Sequence, residues 1–251
     1  GTPLGHSFLF NMAAFGQPAL NLRKTENGFD GENVEGENYR PMFVTEAAYE
    51  TAEYLRELMS YSPSNILSMS WYERARSYTE GEVGMAYCAT LLAPMFELNQ
   101  SSPAHQVTEY LPYPTGRNAK SIAPLGGYAL AIPSNVAQDR IRPIWTALSS
   151  LSSAQAIKLY IENGSLVSPR FSVSMDPEVS MISPAISKVD EMARFGVLQM
   201  WPRPPVPEIS DIIAIVGDEM HDMLLGVKSI DVALQSSQNR ADALMRSRGH
   251  Y

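Results

Sequence analysis

The chain has 251 residues, of which 45% are hydrophobic, and this is enough to bury a core in one large domain or two small ones. Its formal net charge is -8 at pH 7 and its basic residues are scattered along the chain. This pattern argues against nucleic acid as a partner, because binding to the phosphate backbone needs clustered Lys and Arg. The sequence has no run of about 18 apolar residues, so we expect no transmembrane helix.

Two local features bear on processing and on catalysis. The chain starts with Gly1 rather than Met and shows no signal peptide, so we expect a cut inside a longer protein. The one cysteine, Cys88, cannot form an intramolecular disulfide and therefore gives no evidence on export. Cys88 lies in an apolar stretch and no obvious motif supplies a base, so we expect a buried, inert thiol rather than a nucleophile.

The first third of the chain is predicted to be helical around a polar loop. Apolar residues between 8 and 15 indicate a short helix near the start, and the Gly-rich residues 27–38 are typical of a loop. Thr45 is placed to cap an amphipathic helix whose apolar residues repeat at helical spacing. A second helix is predicted over 70–78, and Gly81 closes it.

The middle of the chain is predicted to alternate short strands with helices. Apolar runs bounded by turn residues predict strands at 82–87, 107–111 and 128–132. Helical spacing predicts helices at 90–98, 142–151 and 154–161. Because helices dominate and short strands alternate with them, the pattern predicts the α/β class with a mixed sheet.

The C-terminal third is predicted to hold three helices separated by irregular chain. Residues 169–177 are expected to be extended or a loop, and 178–194 helical if Pro184 lies near the start of that helix or kinks it. Four prolines within 201–207 exclude helix and central strand there. The last two predicted helices are the most apolar one, at 209–225 with Gly226 as its C-terminal cap, and one that begins after Ser229.

One of these helices carries a group of potential metal ligands, namely Asp211, Asp218, Glu219, His221 and Asp222. Protein zinc sites in helices typically use paired histidines or the HExxH pattern, and neither is present. We therefore expect a solvated polar helix face, and no metal or cofactor.

Several short motifs occur in a characteristic order with matching spacing. They are the helix and turn at 71–85, Pro112-Tyr113-Pro114, the Gly-Gly strand motif at 125–132, Pro133-Ser134-Asn135, and a terminal block made of 203–208, a long helix, Gly226 and 229–234. The set resembles family 1 extracellular solute-binding proteins, which include maltose-binding and other sugar-binding proteins. The chain departs from the family pattern at Tyr78 and Gly84, where Phe and Ala are commoner.

The resemblance implies a periplasmic-binding-protein-like fold of class II, seen mainly as the C-terminal lobe and helix-rich around a mixed sheet. By resemblance, 1–127 would form the first part of that lobe and 171–251 its final helices. Residues 128–170 would return to an N-terminal lobe that has no counterpart in this sequence. Without that lobe, part of the apolar surface of 128–170 lacks a partner, and we expect dimers, swapping or local disorder.

Sugar sites combine flat aromatic faces with planar polar side chains that bind hydroxyl groups. Matched by position to the family, the candidate ligand-binding residues are His6, Ser7, Tyr87, Thr90, Gly126, Gly127, Trp201, Arg203 and Glu208. Alternatives stay open for several of them. Tyr87 and Trp201 fit a core equally well, Arg203 fits a salt bridge, and Glu208 fits an N-terminal helix cap.

The resemblance implies the substrate-binding component of a bacterial ABC importer, periplasmic or extracellular. It would capture a sugar or oligosaccharide between two lobes, deliver it to permease subunits, and meet the membrane only through them. A non-transport interaction or sensor module on the same fold is the alternative. A glycan-processing enzyme is a further one, but it needs two carboxylates across a cleft, and no recognisable motif places such a pair.

Overall fold

A computed structural model describes residues 2–117 and 119–251. Its α-helices, in chain order, are α1 (Thr2–Ala14), α2 (Glu46–Leu58), α3 (Trp71–Thr79), α4 (Pro94–Glu97), α5 (Gln138–Leu151), α6 (Ala154–Glu162), α7 (Phe171–Ser174), α8 (Pro177–Ser180), α9 (Pro184–Arg194), α10 (Ile209–Leu224) and α11 (Ile230–Ser247). Short 3-10 helices lie at Gly36–Tyr39, Met59–Tyr61, Ile66–Ser68 and Thr90–Leu92. The strands are β1 (Lys24–Thr25), β2 (Gly28–Phe29), β3 (Ala123–Pro124) and β4 (Leu198–Gln199).

The chain divides into two compact units. The first unit comprises Gly1–Ser70, Leu111–Leu125 and Gly196–Tyr251, and the second comprises Trp71–Tyr110 and Gly126–Phe195. Each unit has its own hydrophobic core. These divisions differ from the ranges 1–127, 128–170 and 171–251, whose assignment to particular lobes stays a prediction.

The first unit is organised by close packing of α1 against α10. Phe8 and Met12 of α1 and Ile212 and Met220 of α10 are all fully buried in one core. Gly5 permits this packing, because a Cβ at that position would lie 2.0 Å from the carbonyl oxygen of Ile213. The two helix backbones therefore approach more closely than any larger residue would allow.

Predicted caps begin several of the helices. The hydroxyl of Thr45 accepts a hydrogen bond from the backbone N–H of Ala48 at the start of α2, and that of Ser229 accepts one from Val232 in α11. Pro184 occupies the first turn of α9, where its missing N–H costs nothing. Gly226 follows α10 with φ +75°, as a glycine at a helix C-terminus does. These predicted helix starts and stops are confirmed.

Two polar side chains connect distant parts of the first unit. The Gln238 amide of α11 accepts a hydrogen bond from the Phe43 backbone N–H and donates one to the Pro41 carbonyl, both at 2.8 Å. Glu219 of α10 is 2% exposed and forms ion pairs with Lys228 at 2.6 Å and Arg240 at 2.7 Å. The expectation of a solvated face is therefore wrong for Glu219, because α11 folds back over that side of α10.

The sheets are small. β1 and β2 form an antiparallel hairpin, and β3 and β4 pair in parallel, all within the first unit. The α/β class is confirmed, but among the described residues the sheet content is only these short pairs.

The second unit packs short helices around a smaller core. Phe96, Ile161, Val179 and Ile186 are buried there. The hydroxyl of Tyr110 donates a hydrogen bond of 2.6 Å to the buried carboxylate of Glu97. Burial, followed by this hydrogen bond, raises the pKa of Tyr110 far above its ordinary value. Glu97 therefore has a hydroxyl donor inside the core.

The three strands predicted in the middle of the chain are wrong. Residues 82–87, 107–111 and 128–132 form no strand, and Met85, Val107 and Tyr128 are 85%, 72% and 101% exposed. An apolar run becomes a strand only where another strand supplies its hydrogen-bond ladder, and none of the described residues does so here. The loop expected at 169–177 is also wrong in part, because α7 and the start of α8 lie within it.

We predict that Gly5→Ala lowers the free energy of unfolding by about 1–3 kcal/mol, because the added methyl overlaps the Ile213 carbonyl and pushes α1 from α10. Chemical denaturation followed by circular dichroism measures the change. Gly84→Ala is the matched control, since a Cβ there meets nothing within 4 Å. Equal stability of the two variants would contradict the close approach of the helices.

The ion pairs of Glu219 with Lys228 and Arg240 predict that the fold loses stability in acid. Burial raises the pKa of Glu219, but hydrogen bonds from Lys228, Arg240 and Ser236 together outweigh it and hold this pKa below its ordinary value. A carboxyl whose pKa is lower in the folded state stabilises the fold above the unfolded-state pKa, about 4.3 for glutamate. That stabilisation is lost as the pH falls through the lower folded-state pKa.

Glu219→Gln should therefore lose about 1–3 kcal/mol of unfolding free energy at pH 7, and the difference from wild type should shrink below about pH 4. Urea denaturation across this pH range measures it. Asp218→Asn on the same helix is the control, because Asp218 is 61% exposed and 3.7 Å from Arg240. If Glu219→Gln lost the same unfolding free energy at every pH, the charge of Glu219 would not be the source of the stabilisation.

Candidate ligand-binding residues

Three half-buried aromatic side chains form a row in the first unit. His6 and Phe10 lie one turn apart on α1, with ring centroids 5.7 Å apart, and Phe10 meets Tyr113 edge-on at 6.2 Å. We call His6, Phe10 and Tyr113 the aromatic row. Each ring keeps part of its surface accessible, as stacking on the apolar face of a ligand requires. Ser7, next to His6, donates its hydroxyl to the Pro3 carbonyl at 3.0 Å.

Trp201 lies in the core of the first unit. It is 6% exposed, and its ring centroid is 4.8 Å from that of Phe29. Gly28 and Gly31 let the loop close over it, because a Cβ on Gly28 would lie 2.6 Å from the indole Nε1. The indole N–H has no hydrogen-bond partner among the described residues. The structure thus realises the core alternative for Trp201, while a role in ligand binding stays a prediction.

Arg203 and Glu208 follow Trp201 on the proline-rich segment and have different surroundings. Arg203 is half-buried, and none of the described residues forms an ion pair with it. Its guanidinium is therefore available to a ligand, and the salt-bridge alternative has no support. Glu208 is 6% exposed, and its Oε1 lies 3.2 Å from Nε2 of His250. Glu208 is the N-cap residue of α10, as the capping alternative expected, although its carboxylate makes no capping hydrogen bond, so only its charge acts at this end of the helix.

The remaining predicted residues belong to the second unit. Tyr87 and Thr90 are half-buried, and Thr90 begins a 3-10 helix. Gly126 and Gly127 are exposed, and a Cβ on Gly127 would meet nothing within 4 Å. The structure therefore gives no close backbone contact that requires glycine at position 127. Their roles in ligand binding stay predictions.

The neighbouring Cys88 has the properties of an inert thiol. Burial raises the pKa of Cys88 to about 11, although the positive charge of Arg74 lowers it slightly. A thiol with so high a pKa holds almost no thiolate at neutral pH, and thiolate is the reactive form.

The structure groups the predicted residues by unit. His6 and Ser7 share α1, and Trp201, Arg203 and Glu208 share the proline-rich segment, all in the first unit. Sequence reasoning missed Phe10 and Tyr113 as companions of His6. The spacing of four residues between His6 and Phe10 on a helix was the available signal, whereas the contact with Tyr113 joins residues far apart in the sequence.

Another concave surface lies on the first unit but contains none of the predicted residues. A cleft of about 500 Å³ is lined by Tyr49, Glu53, Arg56, Met223, Gly226, Lys228, Ser229, Ile230 and Asp231. Lys228 is already paired with Glu219 and Asp222.

Two further properties concern membranes and metals. Across residues 2–117 and 119–251, no helix is both long and apolar enough to cross a membrane. The same residues contain no group of three or more His, Cys, Asp or Glu side chains that could hold a metal ion.

No model of a known protein family matches the chain, and no curated protein matches it either. Solved structures do match. An ABC transporter solute-binding protein from Agrobacterium radiobacter K84, in complex with ribitol, is 20% identical with a TM-score of 0.80, over 97% of this chain and 57% of that one. Maltose-bound MalE3 of T. maritima is 17% identical with a TM-score of 0.75, over 94% of this chain and 56% of that one.

A third match is an ABC transporter solute-binding protein from Thermotoga lettingae TMO bound with alpha-D-tagatose, 18% identical with a TM-score of 0.72. The match covers 96% of this chain and 56% of that one. This chain has the fold of ABC transporter solute-binding proteins. It spans a little over half the length of these relatives, and the resemblance inferred from sequence motifs is confirmed at the level of the fold.

Proposed function

We propose that the chain belongs to the substrate-binding component of an ABC importer and contributes to capturing a sugar, polyol or oligosaccharide. The observation that supports it most is the match of nearly the whole chain, at a TM-score of 0.80, to a solute-binding protein in complex with ribitol. Proteins of the same fold hold maltose and tagatose. Delivery of the ligand to permease subunits and a periplasmic or extracellular location follow from the same proposal.

The chemistry of the first unit suits such a ligand. The aromatic row offers partly accessible rings for the C–H face of a sugar or polyol. Arg203 forms no ion pair with any described residue, so its guanidinium can donate several hydrogen bonds to hydroxyl oxygens. It stands on a proline-stiffened segment, so it loses little conformational entropy on binding.

A binding protein is favoured over an enzyme. The solved structures that match are binding proteins. Cys88, the one thiol, is held protonated by burial. We therefore propose that the ligand is bound and released unchanged.

Ligand binding should raise the thermal unfolding midpoint of the chain. We expect a saturable rise with at least one of ribitol, maltose and tagatose, since a ligand that binds only the folded state stabilises it by mass action. Differential scanning fluorimetry across a sugar and polyol panel measures the effect. Amino acids serve as the control panel. A shift with an amino acid and none with any sugar or polyol would overturn the sugar assignment but keep a binding function.

The aromatic row should contribute directly to affinity. With the ligand found in that panel, Tyr113→Ala should weaken binding about 3- to 10-fold, since an aromatic contact contributes about 0.5–1.5 kcal/mol. Tyr113→Phe should retain most of the affinity. Titration calorimetry measures both, and Tyr61→Ala is the control, because Tyr61 is an exposed tyrosine of the same unit. If Tyr113→Ala bound the ligand with unchanged affinity, the aromatic row would not be part of the ligand-binding site.

A further inference from the structure

The tripeptide Glu-Asn-Gly occurs twice in the chain, at 26–28 and at 162–164. In such a sequence the backbone nitrogen of the glycine can attack the side-chain amide of the asparagine, because glycine has no side chain that shields its N–H. The two copies share the intrinsic reactivity of the tripeptide. Any difference between them in the folded chain therefore comes from the structure around each asparagine.

The second copy is held by hydrogen bonds at the end of a helix. Asn163 is the C-cap residue of α6, and its side-chain amide donates a hydrogen bond of 2.8 Å to the Leu159 carbonyl. The N–H of Gly164, which would be the nucleophile, donates to the Ile161 carbonyl at 2.9 Å. Both reacting groups are thus engaged with the last turn of α6, and this turn has to open before they can meet.

The first copy lies at the tip of a small hairpin. Residues 23–27 are all exposed, and the side-chain amide of Asn27 has no hydrogen bond to any described residue. β1 and β2 contain two residues each and form a sheet of their own, in which Thr25 lies opposite Gly28. An isolated two-stranded hairpin is marginally stable in water, so local opening exposes the Gly28 N–H at little cost.

We propose that Asn27 is a site of spontaneous deamidation and isoaspartate formation, and that the end of α6 protects Asn163 from the same reaction. The nitrogen of Gly28 bonds to Cγ of Asn27 while the bond from Cγ to Nδ2 breaks. Nδ2 leaves as ammonia with the hydrogen of the Gly28 N–H, and a cyclic imide remains. Water then opens this imide at Cγ to give aspartate, or at the backbone carbonyl to give isoaspartate. The inference does not rest on the proposed ligand.

Isoaspartate at position 27 would disturb the contact between the hairpin and Trp201. A Cβ on Gly28 would lie 2.6 Å from the indole Nε1 of Trp201, so the hairpin packs on the indole without room for an added atom. Isoaspartate inserts one carbon into the main chain directly before Gly28 and displaces Gly28 from this contact. Water then reaches the buried indole N–H, which has no hydrogen-bond partner among the described residues.

The test compares the two asparagines within one sample. The 251-residue chain is incubated in mildly alkaline buffer, folded or unfolded in urea, and mass-spectrometric peptide mapping follows deamidation with time. Trypsin cuts after Lys24 and after Lys158, so the two asparagines lie on different peptides. In urea their rates should agree within about threefold, whereas in the folded chain Asn27 should react at least about tenfold faster than Asn163.

Asn27→Gln is the matched variant, because its longer side chain keeps the amide but closes the imide ring much more slowly. Aged wild type should contain isoaspartate at position 27 and show tryptophan emission shifted to longer wavelength, and aged Asn27→Gln should show neither. Equal rates at the two asparagines in the folded chain, or a faster reaction at Asn163, would overturn the proposal. Isoaspartate at position 27 with unchanged tryptophan emission would overturn the effect on Trp201.

Discussion

The close approach of α1 and α10 at Gly5 is the constraint on which the first unit depends. With only a hydrogen in place of a side chain, α1 can lie against the backbone of α10 and bury Phe8 and Met12 between them. The same approach fixes the orientation of α1. Because Phe8 and Met12 face the core, His6 and Phe10 are left partly accessible on the helix, where Phe10 meets Tyr113. The geometry of the aromatic row is thus a consequence of helix packing.

Polar contacts inside the first unit join segments that are far apart in the sequence. The Gln238 amide forms hydrogen bonds with the backbone of Pro41 and Phe43. Glu219 of α10 forms ion pairs with Lys228 in the following turn and with Arg240 of α11. A buried carboxylate without such partners would be strongly destabilising. These contacts join α10 and α11 to each other and α11 to the backbone before α2.

The second unit leaves more of its apolar residues exposed in two of its segments. Its core is formed by short helices, while the 126–132 segment and the whole of α5 remain at the surface. Tyr128, Leu130 and Trp145 are among the exposed apolar side chains of this surface. The chain spans just over half the length of the solved structures it resembles.

The sequence by itself determined the starts and ends of several helices, because these signals are local. Thr45, Ser229, Pro184 and Gly226 act on backbone groups within one turn, and the helices at these positions were predicted. The ordered motifs also indicated the binding-protein fold. The tertiary structure alone decided which apolar runs found strand partners and that Glu219 is buried. It also decided that Trp201 lies beneath a glycine loop and that Tyr113 meets Phe10. Each of these depends on contacts between residues distant in sequence, and a local pattern contains no information about them.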